Sequence, residues 1–190
     1  MRHRTVAELE PHLELLRASP KELGTVELLV VRPGVGERRI LETAGIDLAT
    51  GMVGDTWATR PARGRRDGTP HPDKQVTVMN HRMVALLADQ PEEQAMAGDQ
   101  VYVDLDLSLD NLPIGSWLHL GTTTLEVTDP PHLGCPKFVK AFGSEAMQFV
   151  NSPEGRALRL RGLNARVVAS GTVSVGDTVR VERPVSAEAG

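Results

Sequence analysis

The chain has 190 residues, 40% of them apolar and 24% charged, values of an ordinary globular protein that exclude a disordered or fibrous one. A formal net charge of −4 lacks the basic excess that marks bulk nucleic-acid binding, so no nucleic-acid partner is expected. The single cysteine excludes an internal disulfide, and apolar runs such as Leu28-Leu29-Val30-Val31 are far too short to span a bilayer. Met1-Arg2-His3-Arg4 leads into acidic residues rather than the apolar core of a secretory signal, so the expected location is the cytoplasm, with no membrane segment.

Thr5-Val6-Ala7-Glu8 has the spacing of a capping box and starts a helix running to about residue 19, with a break near Pro11. Leu9, Leu13 and Leu16 would form its buried stripe. Residues 1–24 therefore read as a helical extension before the main body. From 25 to 183 the texture is that of short strands rich in β-branched residues and bounded by Gly, Pro, Asn or Asp: 25–31, 38–47, 74–79, 100–107, 117–120, 123–128, 165–168 and 178–181. The expected fold is mainly β, a barrel or sandwich with a few short helices. Asn80 would cap one of those helices through 88 and Ser144 another through 150, and Ser152-Pro153-Glu154 would open a third. Residues 184–190 read as a frayed tail. Asp104, Asp106, Ser108 and Asp110 alternate with leucines, the pattern of a strand with a solvated outer face, although the acids could hold a hard cation.

The segment from Pro130 to Phe138 carries the most chemistry. A strand ends, a rigid turn follows, and Pro136 stands where a helix would begin, so Cys135 falls at its N-cap. Free backbone N–H groups there, helped by Lys137, favour an anion, which suits sulfur transfer or soft-metal ligation. A small buried hydrophobe would satisfy the same position. His132, three residues earlier, can polarise the thiol or shape the turn; no second Cys/His pair completes a zinc site. The loop 60–72 gathers Arg60, Arg63, Arg65, Arg66 and His71, with Lys74 just beyond, a set that could grip a phosphate or simply be solvated. Arg159, Arg161 and Arg166 with Asn164 could reach an anionic ligand or solvate a strand edge. Gly51-Met52-Val53-Gly54-Asp55 lacks the third glycine of a nucleotide fingerprint and reads as a turn.

In order along the chain, Gly54-Asp55, the apolar strand 75–79 leading into Asn80, Ile114-Gly115, Leu120-Gly121, and Leu125-Glu126-Val127-Thr128 running into Cys135-Pro136-Lys137-Phe138 resemble MOSC domains. Asn164-Ala165-Arg166-Val167, Gly171 and Gly176-Asp177 resemble that family's closing hairpin, and the likeness covers residues 25–182. It implies a β-barrel of the pyruvate-kinase-barrel type and a cysteine that carries persulfide sulfur or ligates molybdenum in a bound molybdopterin cofactor. Carried onto this chain, Cys135 would be the thiolate ligand or sulfur carrier, with Lys137 and His132 beside it. Arg65, Arg66, Lys74, Asn80 and Arg166 would contact the cofactor. Gly98-Asp99-Gln100 stands where many members have Gly-Glu-Asn, and His71-Pro72-Asp73-Lys74 replaces a His-Gly-Gly-like turn.

Three functions are compatible with these residues. The first is a molybdenum-dependent oxidoreductase that reduces N-hydroxylated small molecules with electrons from a separate donor. The second is a persulfide carrier loaded by a separate desulfurase; pyridoxal phosphate is not expected in a chain this short. The third is a non-catalytic barrel that binds an anion or a partner.

Overall fold

The computed structural model describes residues 2–61 and 67–185. Residues 62–66, which include Arg63, Arg65 and Arg66 of the basic loop, and residues 186–190 of the expected tail lie outside the described residues. The N-terminal segment follows Thr5 and Pro11. Helix α1 (Val6–Leu9) opens on a complete capping box, in which Thr5 Oγ1 accepts from the Glu8 N–H and the Glu8 carboxylate accepts from the Thr5 N–H. Pro11 lacks an N–H to continue the helix, so Glu10–His12 tightens into a 3₁₀ turn before α2 (Leu13–Arg17). Leu9 and Leu16 are buried and Leu13 packs beside them partly buried, as the stripe predicts.

The strands are β1 (Leu23–Val31), β2 (Arg39–Leu41), β3 (Thr43–Asp47), β4 (Gly51–Met52), β5 (Val76–Asn80), β6 (Val101–Asp104), β7 (Trp117–Leu120), β8 (Thr123–Val127), β9 (Leu163–Ala169), β10 (Gly171–Ser174) and β11 (Thr178–Glu182). Seven of them close into a mixed barrel in the order β11-β7-β8-β9-β5-β6-β1, with β1 returning to β11. Residues 23–25 of β1 pair with β11 and residues 29–31 pair with β2, while β6 runs along the other edge. A register shift between Val26 and Leu28 supplies the bend this double pairing requires. Within the barrel only β5–β6 is parallel. A parallel pair needs a long crossover. Here it consists of α3 (His81–Leu87), α4 (Pro91–Gln94) and a 3₁₀ turn (Ala95–Ala97). A second long connection, from β8 to β9, carries α5 (Pro136–Phe142), α6 (Ser144–Asn151) and α7 (Pro153–Ala157).

Period-two alternation divides the apolar residues between two cores. Val76, Val78, Val101, Val103, Leu125 and Val127 face the barrel interior. Leu28, Val30, Met79 and Tyr102 point outward and are covered by the N-terminal helices and by α3, α5 and α6, through Met83, Phe138, Phe142 and Phe149. No helix among the described residues is long and apolar enough to cross a membrane.

Several local expectations need correction. Ser144 is the first residue of α6 and not its cap; Gly143, at φ +91°, turns the chain instead. The strand expected to reach 107 stops at Asp104. Beyond it, Asp106 accepts from the Ser108 N–H and the Asn111 amide donates to the Asp106 carbonyl, so local side-chain bonds replace the ladder. Asp106 and Ser108 are buried while Leu109 is exposed, which overturns the solvated-face reading of that alternation. The segment 38–47 divides between β2 on the barrel and β3 in a separate three-stranded sheet with β4 and β10. Because β10 pairs with β3 and β11 with β7 and β1, those two strands form no closing hairpin.

Two glycines of positive φ separate backbone strain from crowding. At Gly36, φ +83°, an added Cβ would meet nothing within 4 Å. At Gly162, φ +95°, it would stand 2.3 Å from the Val78 carbonyl oxygen. Gly36→Ala should cost about 1 kcal/mol from conformation alone. Gly162→Ala should cost about 3 kcal/mol or more, because overpacking against rigid backbone is added. Urea unfolding of the two variants checks the difference; equal midpoints would contradict it.

Candidate functional site

The segment that carries Cys135 is pinned along its length. The Thr128 hydroxyl donates to the carbonyls of Asp73 (2.6 Å) and Asn164 (2.9 Å), and the Asn164 amide donates to the Pro130 carbonyl at 2.9 Å. His132 Nε2 lies 2.7 Å from Asp99 Oδ1, and the Gly134 N–H meets Asn151 Oδ1 at 3.3 Å. Cys135 then stands at the N-cap of α5 in extended conformation with Pro136 at the first helical position, as its sequence requires. Its carbonyl accepts from the Val139 N–H, while its side chain closes no cap bond. The thiol is half-buried against the outer core. Lys137, one residue into the helix, is exposed.

Asp99 is the centre of the surrounding charge network. Its carboxylate is fully buried and receives His132 on one oxygen and Arg161 Nη1, at 2.5 Å, on the other. Arg161 Nη2 continues to the Ala97 carbonyl at 2.8 Å, and its guanidinium lies over the Phe138 ring of α5, 5.0 Å from the centroid. Burial alone would raise the Asp99 pKa, but Arg161 and His132 overcome it and hold the carboxyl well below its ordinary value. For His132 the balance runs the other way: burial first, then the Arg161 charge, lower its pKa against the pull of Asp99. The imidazole is therefore neutral at pH 7, and its contact with Asp99 is an N–H donated to a carboxylate rather than an ion pair.

A second buried carboxylate lies close by. Asp55 takes Arg32 Nε at 2.8 Å and Nη2 at 3.0 Å, and Arg32 Nη1 reaches the Gly98 carbonyl at 2.9 Å. Arg38 and Arg60 adjoin this pair; burial and the neighbouring Arg32 charge lower the pKa of both. Arg38 Nε is buried with no hydrogen-bond partner among the described residues. Arg38 and Arg39 line a cleft of about 490 Å³ beside Ala95 and Met96. Glu92 lines the same cleft, and helix α5 packs on the 95–97 turn that supplies part of its wall.

The remaining sequence candidates are dispersed. Arg166 is exposed on β9, 2.8 Å from Glu126 and 3.6 Å from Asp73, which places it beside the exposed Lys74 but with carboxylates already on it. The Asn80 amide donates to Ser19 and to the Leu105 carbonyl, and its oxygen caps α3 at Met83. Arg65 and Arg66 lie outside the described residues. Sequence reasoning passed over Arg32 and Arg38, noted Asp55 only within the Gly54-Asp55 turn of the resemblance, and noted Asp99 only as a departure from Gly-Glu-Asn. The available signal was an acid directly after a glycine in two turns, Gly54-Asp55 and Gly98-Asp99.

The MOSC domain model matches residues 65–180, more than half of the chain. The chain belongs to the MOSC family. Among solved structures, the YuaD protein of Bacillus subtilis is 18% identical over 84% of this chain and 95% of its own, with a TM-score of 0.55. YiiM from Escherichia coli is 17% identical over 85% of this chain and 71% of its own, also at 0.55. A hypothetical protein, 17% identical over 91% of this chain and 72% of its own, reaches 0.57. These likenesses show the MOSC barrel fold. No curated protein matches the sequence.

The depressed His132 pKa has a consequence for stability. Below the ordinary histidine value of 6.5 the unfolded chain takes up a proton that the folded chain resists, so this contribution is complete above 6.5 and is lost as pH falls toward the folded pKa. The slope cannot exceed about 1.4 kcal/mol per pH unit. The urea midpoint of the wild type should fall between pH 7 and pH 5 (~2 units of pH), and His132→Gln, which keeps a donor for Asp99, should flatten that fall. Parallel curves for the two proteins would remove His132 from the pH dependence.

Proposed function

We propose that this MOSC barrel holds a molybdenum–pterin cofactor, with Cys135 as its protein ligand, and that it reduces N-hydroxylated small molecules. The observation that carries the reading is a lone, half-buried thiol on a pinned segment. Among the described residues, no group of three or more His, Cys, Asp or Glu side chains could hold a metal by itself. A soft thiolate suits molybdenum, and a pterin that brings its own dithiolene sulfurs asks the protein for few further ligands.

The free donors of the cleft beside the 95–97 turn suit an anionic cofactor. Arg38, with its unpartnered Nε–H, and the exposed Arg39 would meet the cofactor's phosphate in the cleft beside the 95–97 turn. Arg32 could not serve in the same way, because Asp55 and the Gly98 carbonyl already take its donors. The His132–Asp99 bond would hold the thiol segment still while ligands exchange, and Pro136 fixes the backbone immediately after the sulfur. When bound, the molybdenum centre supplies a two-electron couple, which with two protons converts an N–OH group to N–H and releases water. The electrons would come from a separate donor protein.

Protein purified from cells supplied with molybdate should contain molybdenum in near one-to-one ratio, and Cys135→Ala should lose at least about tenfold of it. Arg38→Ala should weaken retention of the pterin while leaving the thiol in place. Reduction of an N-hydroxylated amidine by a chemical reductant should follow the molybdenum content. A sulfur adduct on Cys135 without metal would replace this reading with the persulfide carrier.

A further inference from the structure

A second cavity, of about 300 Å³, is lined by residues 128–133, His132 among them, and Cys135 is not among its lining residues. Its volume is at the lower end of the range for small-molecule sites. The cavity has two chemically different parts. One is cationic. Arg161 lines it 96% buried, and its Nε has no hydrogen-bond partner even though both terminal nitrogens are used. Leaving a buried guanidinium N–H unsatisfied is costly, and an acceptor brought into the cavity beside it removes that cost. Arg156 stands exposed on the same lining and makes no ion pair or hydrogen bond through its side chain among the described residues. Asp129 at the rim is the only carboxylate in the lining, against three arginines counting Arg159, whose Nη1 is turned to the Leu112 carbonyl.

The other part is apolar. Leu109, Ile114 and Leu133 all line the cavity and are 51%, 52% and 44% exposed, three large hydrophobic side chains gathered at one opening. Scattered singly they would need no explanation, but together around a concave site they mark a surface that a ligand can cover.

We propose that this cavity binds a small organic carboxylate, with its apolar body against Leu109, Ile114 and Leu133 and its carboxylate between Arg156 and Arg161. A guanidinium pair favours a planar carboxylate, which it can meet through parallel N–H donors. The apolar rim favours a carbon skeleton over a bare inorganic anion. The site goes beyond the proposed cofactor chemistry and needs no metal, so it can be tested on the metal-free, full-length chain.

The probe is benzoate, titrated against isotope-labelled protein and followed by amide shifts, with benzamide and inorganic phosphate as comparisons. Benzoate should saturate one site in the millimolar range or tighter and shift resonances around His132 and Asn164. Benzamide and phosphate should each bind at least about tenfold more weakly. Arg156→Gln should weaken benzoate by about tenfold with an unchanged unfolding midpoint, because that side chain is exposed and holds nothing in place. The proposal is overturned if benzamide matches benzoate, if phosphate matches it, if Arg156→Gln leaves its affinity unmoved, or if benzoate fails to saturate.

Discussion

The arrangement depends on one buried carboxylate. Asp99 stands on the turn that enters β6, wholly removed from water, and a charge so placed is tolerable only if opposite charge and hydrogen bonds meet it there. Arg161 and His132 supply them from opposite ends of the long β8–β9 connection. Through Arg161 the carboxylate is tied to the Ala97 carbonyl and to the face of Phe138 in α5, and through His132 to the segment that ends at Cys135. Replacing such a pair by apolar residues can be neutral for stability, whereas removing one member leaves an uncompensated charge worth about 3–5 kcal/mol. Its structural effect is therefore to fix one arrangement of the thiol segment rather than to add net stability.

The barrel's one parallel pair explains why the network forms where it does. Because β5 and β6 run the same way, the chain must cross over outside the barrel, and it returns through the 95–97 turn and Gly98 to reach Asp99. The β8–β9 connection re-enters the wall next to β5 and lays α5 against that returning turn. The crossover and the β8–β9 connection thus meet outside the barrel, and the polar groups that neither can bury alone satisfy each other. Gly98, at φ +88°, permits the turn, and its carbonyl receives Arg32, which draws the Asp55 pair into the same assembly.

How much of this was legible in the sequence differs by level. The strands of β1, β7, β8 and β11 could be read because β-branched residues alternate between well-marked turns. The N-cap position of Cys135 could be read because Pro136 tolerates little else. What could not be read was pairing. Residues 38–47 have the texture of one strand but serve two sheets, since a period of two specifies faces and not partners. Acids at 104–110 look like a solvated face, yet Asp106 turns inward because its short side chain can bond its own backbone. Asp99 was invisible as a hub, since its partners lie 33 and 62 residues away and nothing local announces them.

The arginines show the same limit most clearly, and it bears on function. Sequence reasoning grouped them by proximity, expecting clustered guanidiniums to grip an anion. In the folded chain Arg32 and Arg166 already hold carboxylates, and Arg159 holds backbone carbonyls. Such a group is a brace, since an incoming anion would have to displace a partner it already has. Arg38, Arg161 and Arg156 differ: the first two each keep a buried Nε–H without a partner, Arg161 while also bracing Asp99, and Arg156 has no side-chain partner among the described residues. They lie on two cavities, Arg38 beside the 95–97 turn and Arg156 with Arg161 beside His132. The capacity to bind an anion is thus set by the donors left over after folding, and here the leftovers fall in two separate cavities.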